Sequence, residues 1–361
     1  MKIAHINFPV QIPPKGYGGA ERMIFNLAKT QAKHGHQVTI FAGPNSHIPG
    51  CETKSFVKGY DVGTSWIKQR KEVFEHVRKS YSYIGKDYDI IHNHIQEEGV
   101  SLSFLAKSPV VTTIHGQGQA HNNFLPRLIT KIFSLTGKTK YLAISSNLYE
   151  RNKNFLKNNL IGFVYSSAIN PEDYSFYEIP KKNHDIELRF LSLITEHKGT
   201  HIAIDLAEKL HNDGKDVYLK IGGKVTNFQD NYIKKITCMI KNKPYIEFKP
   251  NLPTSEIPDF IGNSDAFLFP ILWDEPYGLV IVESFSFGTP VIAFSRGSIP
   301  ELIKNGKTGY VCKNIEEFYS SILSINKIKR IDCRNFIETE HNNEKMYQDY
   351  LKFYIGLVET N

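Results

Sequence analysis

Strand-like and helix-like segments alternate along the first half of this 361-residue chain, and this pattern restricts its fold most strongly. A strand predicted over residues 2–8 leads through a glycine-containing turn into a helix over 20–35, and a second strand follows over 37–42. Parallel strands need such crossover helices, so the alternation predicts an α/β fold with a doubly wound parallel sheet. The other segments predicted in this half are strands at 90–94, 110–115, 141–144 and 162–165 and helices at 65–83 and 124–135.

A proline- and lysine-containing stretch at residues 174–186 interrupts the alternation, and a second series of the same kind follows it. We interpret this stretch as a linker between two domains, 1–178 and 179–340. Residues 344–358 have apolar side chains at a helical spacing, so 341–361 is predicted to be a C-terminal helix. The second series contains strands predicted at 187–193, 217–221, 246–248, 266–269 and 291–294 and a helix at 200–212.

Charge and cysteine content restrict the class of protein further. The net charge is +7, and residues 1–178 carry 21 Lys and Arg against 13 Asp and Glu, which favours contact with an anionic acceptor or a membrane surface. No apolar run approaches the ~20 residues of a membrane-spanning helix, and the first residues predict a buried strand and not a signal peptide. We therefore expect a cytoplasmic protein. The four cysteines form no C-x-x-C pair, so neither a zinc site nor a disulfide framework is expected. A nucleic-acid partner is not expected.

Glu275 and Glu283 are the most informative pair of charged residues. A buried strand is predicted just before them, and a turn of small residues leads into another strand just after. If a helix begins near Gly278, Glu275 precedes its N-terminus and Glu283 lies roughly 1.4 turns along it. First-turn N–H groups bind phosphate, so a diphosphate would lie between the two carboxylates. Taken alone, the pair would favour two solvated glutamates on a surface helix, but the flanking strand and turn favour the ligand site.

The segment 275–283, together with 288–292 and 297–301, resembles the family four retaining glycosyltransferases of GT-B fold. The resemblance covers nearly the whole chain. Its further motifs, in the order of that family, lie at 16–22, 88–94, 112–116, 143–146, 196–199 and 347–354.

This resemblance implies two Rossmann-like, doubly wound parallel-sheet domains facing across a cleft, with the last helix crossing back to the first domain. It implies retaining transfer of a sugar from a nucleotide-sugar donor to a glycan or lipid-linked acceptor. A nucleotide-sugar epimerase or phosphorylase on the same fold is an alternative, and so is a pseudoenzyme that binds a nucleotide sugar without turnover.

The resemblance also assigns roles in the second domain. Lys198 would neutralise the diphosphate, but Leu193 stands where the family has an arginine. Arg189 or Lys224 could replace that arginine, and the sequence does not decide between them. The residues implied to bind the donor are Glu275 and the backbone of Pro276, Tyr277 and Gly278 for the sugar, Gly278, Leu279, Val280 and Lys198 for the diphosphate, and Glu283 for the ribose hydroxyls.

In the first domain, Gly16, Gly18 and Gly19 follow a predicted strand and open a helix, which lets backbone N–H groups approach a phosphate. They do not form a dinucleotide-binding fingerprint, because Glu21 stands where that fingerprint needs glycine. By the resemblance, Gly18 and Gly19 belong to the loop that covers the donor phosphate. His115 would contact the transferred sugar and support the charge that develops there, which makes it a catalytic residue together with Glu275 and Lys198.

Three further features leave alternatives open. His94 either lines the acceptor pocket or is a hydrogen-bonded core histidine. The pair Asp87 and Asp89 matches a metal-binding signature of another glycosyltransferase fold but precedes its strand, so neither a metal ion nor any other cofactor is expected. Segments 66–83 and 124–140 mix basic and apolar residues, which indicates either peripheral membrane contact or ordinary amphipathic helices.

Overall fold

The computed structural model describes residues 1–14, 18–60, 65–116, 139–167, 169–181, 183–225 and 230–360. The chain divides into two compact units, Met1–Ala168 with Asn343–Asn361, and Ile169–Asn342. Gly16, the predicted helix at 124–135 and most of the basic segment 124–140 lie outside the described residues. None of the described helices is long and apolar enough to cross a membrane.

The first unit contains a seven-stranded parallel sheet with the strand order β3-β2-β1-β4-β5-β6-β7. Its inner strands are almost entirely buried, which is typical of parallel sheets whose two faces are both covered by helices. The strands are β1 (Lys2–Ile6), β2 (Gln37–Phe41), β3 (Glu52–Lys54), β4 (Ile90–Asn93), β5 (Val110–Ile114), β6 (Thr139–Ala143) and β7 (Leu160–Phe163).

Helices of the first unit pack on this sheet through one apolar face. In the first helix, the buried side chains include Met23, Leu27 and Gln31, one turn apart, so a single stripe faces the sheet. The helices are α1 (Gly19–Lys33), α2 (Trp66–Ile84), α3 (Glu97–Ser101) and α4 (Ser146–Leu156).

The second unit contains a six-stranded parallel sheet with the order β10-β9-β8-β11-β12-β13. Its strands are β8 (Ile186–Leu193), β9 (Val217–Lys224), β10 (Ile246–Pro250), β11 (Ala266–Phe269), β12 (Val291–Phe294) and β13 (Gly309–Cys312). Its helices are α5 (Thr200–Asn212), α6 (Asp230–Ile240), α7 (Ile257–Gly262), α8 (Leu279–Ser286), α9 (Ile299–Leu302), α10 (Ile315–Leu323) and α11 (Arg330–Glu340). Both sheets have the doubly wound parallel form that the sequence predicts.

The final helix, α12 (Asn343–Glu359), belongs to the first unit and packs on α1. A ring nitrogen of His34 lies 2.8 Å from a Glu344 carboxylate oxygen, and a ring nitrogen of His36 lies 2.9 Å from the Tyr347 hydroxyl. The first unit is therefore built from two separate parts of the chain.

Residues 171–177 belong to the second unit, although the sequence predicts a boundary at 178 and a linker that begins at 174. Two guanidinium groups of α11 explain the difference. Arg334 donates to the carbonyl oxygens of Pro171 and Tyr174 at 2.7 and 2.9 Å, and Arg330 donates to that of Tyr177. These bonds connect the stretch to α11, so it packs on the second unit.

Candidate active site

The centre of the second sheet has the geometry of a ligand site. β8 is flanked by β9 on one side and β11 on the other, so the strand order reverses between β8 and β11. Ligands of open α/β sheets bind outside the carboxyl ends of the strands at such a switch point. The loop after β8 carries Lys198, and the loop after β11 carries Glu275. Both predicted residues therefore lie at this edge.

Lys198 and Glu275 form an ion pair there. The Nζ atom of Lys198 lies 2.9 Å from Oε2 of Glu275, and the two side chains are 16% and 13% exposed. Trp273 donates its indole N–H to the same carboxylate oxygen at 3.0 Å, and the Lys198 ammonium lies 4.9 Å from the centre of the Trp273 ring. The structure thus brings together two of the three predicted catalytic residues and adds Trp273 to them.

Helix α8 begins beside this pair, as the glutamate spacing predicts. Gly278 is its N-cap residue, with φ 95°, and contributes no side chain to cap the helix. First-turn amides have no intrahelical acceptor, so the N–H groups of Leu279 and Val280 supply partial positive charge beside the Lys198 ammonium. An anion with several oxygen atoms fits such a set of donors.

A turn at Gly297 and Ser298 holds the backbone of Glu275. The Ser298 amide donates to the Glu275 carbonyl at 2.9 Å, and the Ser298 hydroxyl donates to the Tyr277 carbonyl at 2.7 Å. Gly297 has φ 56°, and a Cβ atom there would lie 2.3 Å from the Glu275 carbonyl oxygen. Only glycine permits this approach. The turn therefore fixes the position of the Glu275 backbone, from which the carboxylate side chain extends.

Glu283 and Tyr277 are more deeply buried than Glu275. Glu283 lies in the second turn of α8 and is 2% exposed. Tyr277 is 4% exposed, and its hydroxyl lies 3.1 Å from Nδ1 of His341, so its side chain packs inside the unit. The side chain of Tyr277 is therefore not available to a ligand at this edge. Pro276 and Gly278 on either side of it are buried.

The structure separates the two candidate replacements for the missing arginine at Leu193. Arg189 is 3% exposed, and its guanidinium donates to the Phe260 carbonyl at 2.8 Å and to the Glu187 carboxylate at 2.7 Å. It is therefore part of the core. Lys224 ends β9 directly opposite Leu193, which ends β8, and it is exposed. Lys224 is the cation beside Leu193 at the carboxyl edge.

In the first unit, the strand order reverses between β1 and β4, and histidines gather there. His5 lies on β1, His94 follows β4 and His115 follows β5. Nδ1 of His5 lies 3.0 Å from Nε2 of His94, and Nδ1 of His94 lies 2.9 Å from Nε2 of His115. Burial lowers the pKa of His5 and of His115 to about 4 and holds the pKa of His94 well below its usual value, so all three rings are neutral at pH 7.

His94 is 3% exposed, and both of its ring nitrogens have partners in this chain. Of the two alternatives for this residue, a lining of the acceptor pocket or a hydrogen-bonded core histidine, the second fits the structure. Its neighbour His92 lies 2.6 Å from the Thr113 hydroxyl and 2.5 Å from that of Tyr354. The sequence did not single out His5, because one polar residue in an apolar strand gives no indication of its partners.

Two other sequence motifs have clear positions. Gly18 is the N-cap of α1, where a Cβ atom would lie 2.6 Å from Oε2 of Glu21, whereas one on Gly19 would meet nothing within 4 Å. Asp89 accepts a hydrogen bond from the Lys2 amide at 2.7 Å, at the amino end of β1. The Asp87 and Asp89 pair therefore lies at the sheet edge opposite the histidines, where the sequence predicts it.

Comparisons with known proteins agree with this architecture. The family model for Glycosyltransferase Family 4 matches residues 17–152, and the model for Glycosyl transferases group 1 matches residues 172–342. YtcC, a Bacillus subtilis protein named as a glycosyltransferase, is 24% identical over 334 residues, which cover 86% of this chain and 79% of YtcC.

Two solved structures are similar over the whole chain. The structure of the Anabaena protein HepE in complex with UDP has a TM-score of 0.77 and 18% identity, and the match covers 99% of this chain and 100% of that one. Sucrose-phosphate synthase from Thermosynechococcus elongatus has a TM-score of 0.80 and 14% identity, with 100% of both chains covered. At these identities the two likenesses show the fold. With the two family models, they establish that this chain belongs to the glycosyltransferases of GT-B fold.

Proposed function

We propose that this enzyme is a retaining glycosyltransferase that takes its sugar from a nucleotide-sugar donor. One observation carries the proposal: the ion pair of Lys198 and Glu275 lies at the switch point of the second sheet, beside the N-terminus of α8. Structures of the Anabaena protein HepE hold UDP, UDP with glucose, and UDP-glucose, which supports a donor of this class.

The diphosphate of the donor would bind where positive charge gathers. Lys198 supplies a full charge, and the amides of Leu279 and Val280 supply partial charges. Glu275 holds the ammonium in place before the donor arrives and would bind hydroxyls of the sugar, together with the backbone of Pro276 to Gly278. Glu283 would bind the ribose hydroxyls. His115 would contact the transferred sugar.

Retention of configuration would follow from front-face displacement. The bond between the anomeric carbon and the leaving phosphate oxygen breaks, and the acceptor oxygen bonds to the same face of that carbon. The acceptor proton passes to the leaving phosphate. Negative charge grows on the diphosphate during this step, so the ammonium and the helix amides bind the transition state more strongly than the ground state.

No divalent ion has a role in this proposal, because Lys198 and the amides of α8 supply the charge that a metal would supply. Asp87 and Asp89 lie at the amino edge of their sheet, away from the strand ends that bind ligands. We expect transfer to proceed at an unchanged rate after treatment with EDTA. Loss of activity on chelation, with recovery on addition of Mg²⁺ or Mn²⁺, would contradict this.

The acceptor is proposed to be a glycan or a lipid-linked saccharide, approached at the membrane surface through α2. Trp66, Ile67 and Phe74 of this helix are 68%, 75% and 45% exposed. Aromatic and aliphatic side chains of this kind enter the headgroup region. Arg70 is paired with Glu97 and Glu98 in the structure, so the basic charge available on α2 is smaller than the sequence indicates.

Vesicle sedimentation tests this contact. We expect binding to vesicles that contain phosphatidylglycerol and weak binding to pure phosphatidylcholine. Replacing Trp66 and Ile67 by alanine should abolish sedimentation. Ile179, which is 82% exposed in the second unit, provides the matched control, and Ile179→Ala should sediment as the wild type does. Equal sedimentation of both variants would exclude α2 as the contact.

The central experiment combines a donor screen with one pair of lysine variants. UDP-, GDP- and ADP-sugars are screened for thermal stabilisation, because a ligand that binds only the folded state raises the melting temperature. We expect Lys198→Met to remove the stabilisation and to lower transfer by about 100-fold or more. Lys215 is an exposed lysine just before the amino end of β9, so Lys215→Met should match the wild type.

The screen also separates the alternatives. An epimerase would convert the donor to an isomer without an acceptor, and a phosphorylase would need inorganic phosphate and a glucan. Stabilisation by a donor without turnover on a broad acceptor panel would indicate a pseudoenzyme. The absence of any stabilisation would overturn the proposal.

A further inference from the structure

A chain of hydrogen bonds connects helix α1 to His115 through the interior of the first unit. Oε1 of Gln31 lies 2.8 Å from Nε2 of His5. The chain continues from His5 to His94 at 3.0 Å and from His94 to His115 at 2.9 Å. Gln31 and His5 are fully buried, whereas His115 is partly exposed. One end of the chain, at Gln31, is therefore buried, and the other end, at His115, is partly exposed to solvent.

Each ring in this chain is neutral, because burial lowers the pKa values of His5, His94 and His115 far below 7. A neutral imidazole carries one N–H donor and one bare acceptor nitrogen. A continuous chain of neutral rings therefore has a direction, since every ring must donate on one side and accept on the other. The side on which every ring donates is set by the group at the buried end of the chain, which is Gln31.

Gln31 fixes this direction. A carbonyl oxygen can only accept, so Nε2 of His5 carries the hydrogen and Nδ1 of His5 is bare. Nε2 of His94 must then donate to His5, which leaves Nδ1 of His94 bare to accept from Nε2 of His115. The bare nitrogen of His115 is consequently Nδ1.

The amide group of Gln31 is held from its other end as well. Its Nε2 atom donates to the Tyr354 hydroxyl at 3.4 Å, and that hydroxyl lies 2.5 Å from Nδ1 of His92. An amide rotated by 180° would present N–H to His5 and reverse every bond of the chain. His115 would then offer an N–H group in place of a lone pair.

We propose that Gln31, His5 and His94 are positioning residues that hold His115 in the tautomer with hydrogen on Nε2, so that Nδ1 accepts a hydrogen bond from a hydroxyl of the substrate. The proposal rests on the assignment of His115 to the sugar site. By accepting the hydrogen of a sugar hydroxyl, the lone pair makes the hydroxyl oxygen more electron-rich, which stabilises the positive charge that develops on the sugar ring. An N–H group would have the opposite effect.

A buried metal ion is the competing explanation for these histidines. Ring nitrogens of His5, His92 and His94 lie within 4.8 Å of one another. However, all six ring nitrogens of these residues already have a hydrogen-bond partner: Gln31, Thr113, Tyr354, His115, or each other. A metal ion would have to displace several of these bonds, so the closed chain accounts for the geometry better.

Nitrogen NMR of the full-length protein with ¹⁵N-labelled histidine tests the proposal without any substrate. Protonated and bare ring nitrogens have well-separated shifts, and the His115 signals are identified by their loss in His115→Gln. We expect Nε2 of His115 to be protonated and Nδ1 to be bare at pH 7. Protonation on Nδ1, or a spectrum that changes on addition of Zn²⁺ to EDTA-treated protein, would overturn the proposal.

Two variants connect the tautomer to catalysis. Gln31→Met keeps the volume but removes the acceptor, so we expect a mixture of His115 tautomers and a roughly tenfold lower kcat with little change in donor KM, equivalent to about 1.4 kcal/mol. Tyr88→Phe breaks a comparable buried bond of the same unit, to the Thr39 hydroxyl, that is not connected to the chain. It should leave both the tautomer and kcat unchanged.

These readouts distinguish the proposed function from the positioning role of Gln31, His5 and His94. A protein that lacks transfer with every donor but shows the expected tautomer contradicts the proposed function and leaves the chain intact. An active enzyme in which Gln31→Met has normal kcat, or in which Tyr88→Phe loses as much, contradicts the positioning role.

Discussion

At the scale of single residues, the distribution of positive charge would decide how strongly the second unit binds the diphosphate of the proposed donor. Leu193 ends β8 with a 37% exposed apolar side chain, and Lys224 ends the neighbouring strand in register with it. Neighbouring strands lie about 4.8 Å apart, so the Lys224 ammonium can reach the space that a longer cationic side chain at residue 193 would occupy. Arg189 cannot, because its guanidinium is bonded inside the core.

We therefore predict that Leu193→Arg tightens donor binding. A charge-assisted hydrogen bond to phosphate contributes about 1.5–3 kcal/mol, so the Kd measured by titration calorimetry should fall at least tenfold. Lys224→Met should raise Kd in the wild-type background and have a smaller effect beside Leu193→Arg. If Lys224→Met changes nothing in either background, Lys224 does not bind the donor.

Glu275 supports a second prediction at this scale. Its carboxylate accepts from both the Lys198 ammonium and the Trp273 indole. Glu275→Gln keeps an acceptor for the indole but removes the charge that holds Lys198. We expect a loss of transfer of about 100-fold or more with a melting temperature close to that of the wild type. Normal turnover by this variant would remove Glu275 from the proposed site.

At the scale of elements, the turn between β12 and α9 controls the position of Glu275. A Cβ atom on Gly297 would lie 2.3 Å from the carbonyl oxygen and 2.5 Å from the amide nitrogen of Glu275. Backbone atoms cannot yield as a flexible side chain does, so Gly297→Ala should displace Glu275 and abolish donor binding.

Gly306 provides the matched control for this prediction. It also has a positive φ, 77°, but a Cβ atom there would meet nothing within 4 Å. Both alanine variants carry the strain of a left-handed conformation, about 1–2 kcal/mol in urea unfolding. Only Gly297→Ala should also lose donor-induced thermal stabilisation. Equal loss in both variants would show that strain, and not the clash with Glu275, is responsible.

The elements also show what the sequence can predict. The central strands β1, β4, β8 and β11 are largely buried and lie where the sequence predicts strands, and the spacing of Glu275, Gly278 and Glu283 correctly predicts the start of α8. β3 and β13 were not predicted. β3 is a polar edge strand of three residues, and β13 follows a turn and shows no alternation of apolar and polar residues. Each therefore adopts an extended backbone because it pairs with a neighbouring strand, β2 or β12.

Contacts distant in sequence account for the other differences. The first unit takes its last helix from the end of the chain, and Arg330 and Arg334 secure residues 171–177 to the second unit from more than 150 positions away. Likewise, the bond between Gln31 and His5 joins a helix to a strand, and the partners of Glu275 come from the ends of two strands. Local patterns locate such residues but do not pair them.

At the scale of the whole molecule, the two units should respond differently to acid. Burial lowers the pKa values of five histidines of the first unit far below their usual value of about 6.5. They are His5, His76, His92, His94 and His115. In the second unit, the pKa values of His197 and His201 are also lowered by burial, but both side chains are less deeply buried.

The direction of the effect follows from proton binding. An unfolded chain protonates its histidines near pH 6.5, whereas the folded first unit resists protonation until about pH 4 for His5. Between these values the unfolded state binds more protons, so the stability from neutral burial is complete above pH 6.5 and is lost as the pH falls toward 4. His5 alone would cost roughly 3 kcal/mol at pH 4.

We therefore predict that the first unit unfolds before the second as the pH falls from 7 to 5. Hydrogen exchange read by mass spectrometry, corrected for the intrinsic effect of pH on exchange, should show β1, β4 and β5 losing protection together with α12, which shares their unit. Strands β8 and β11 should stay protected. Loss of protection in the second unit first, or in both units at the same pH, would show that the buried histidines do not govern acid stability. Because Gln31, His5 and His94 belong to this same cluster, the pH at which protection is lost should also limit the range over which His115 keeps one tautomer.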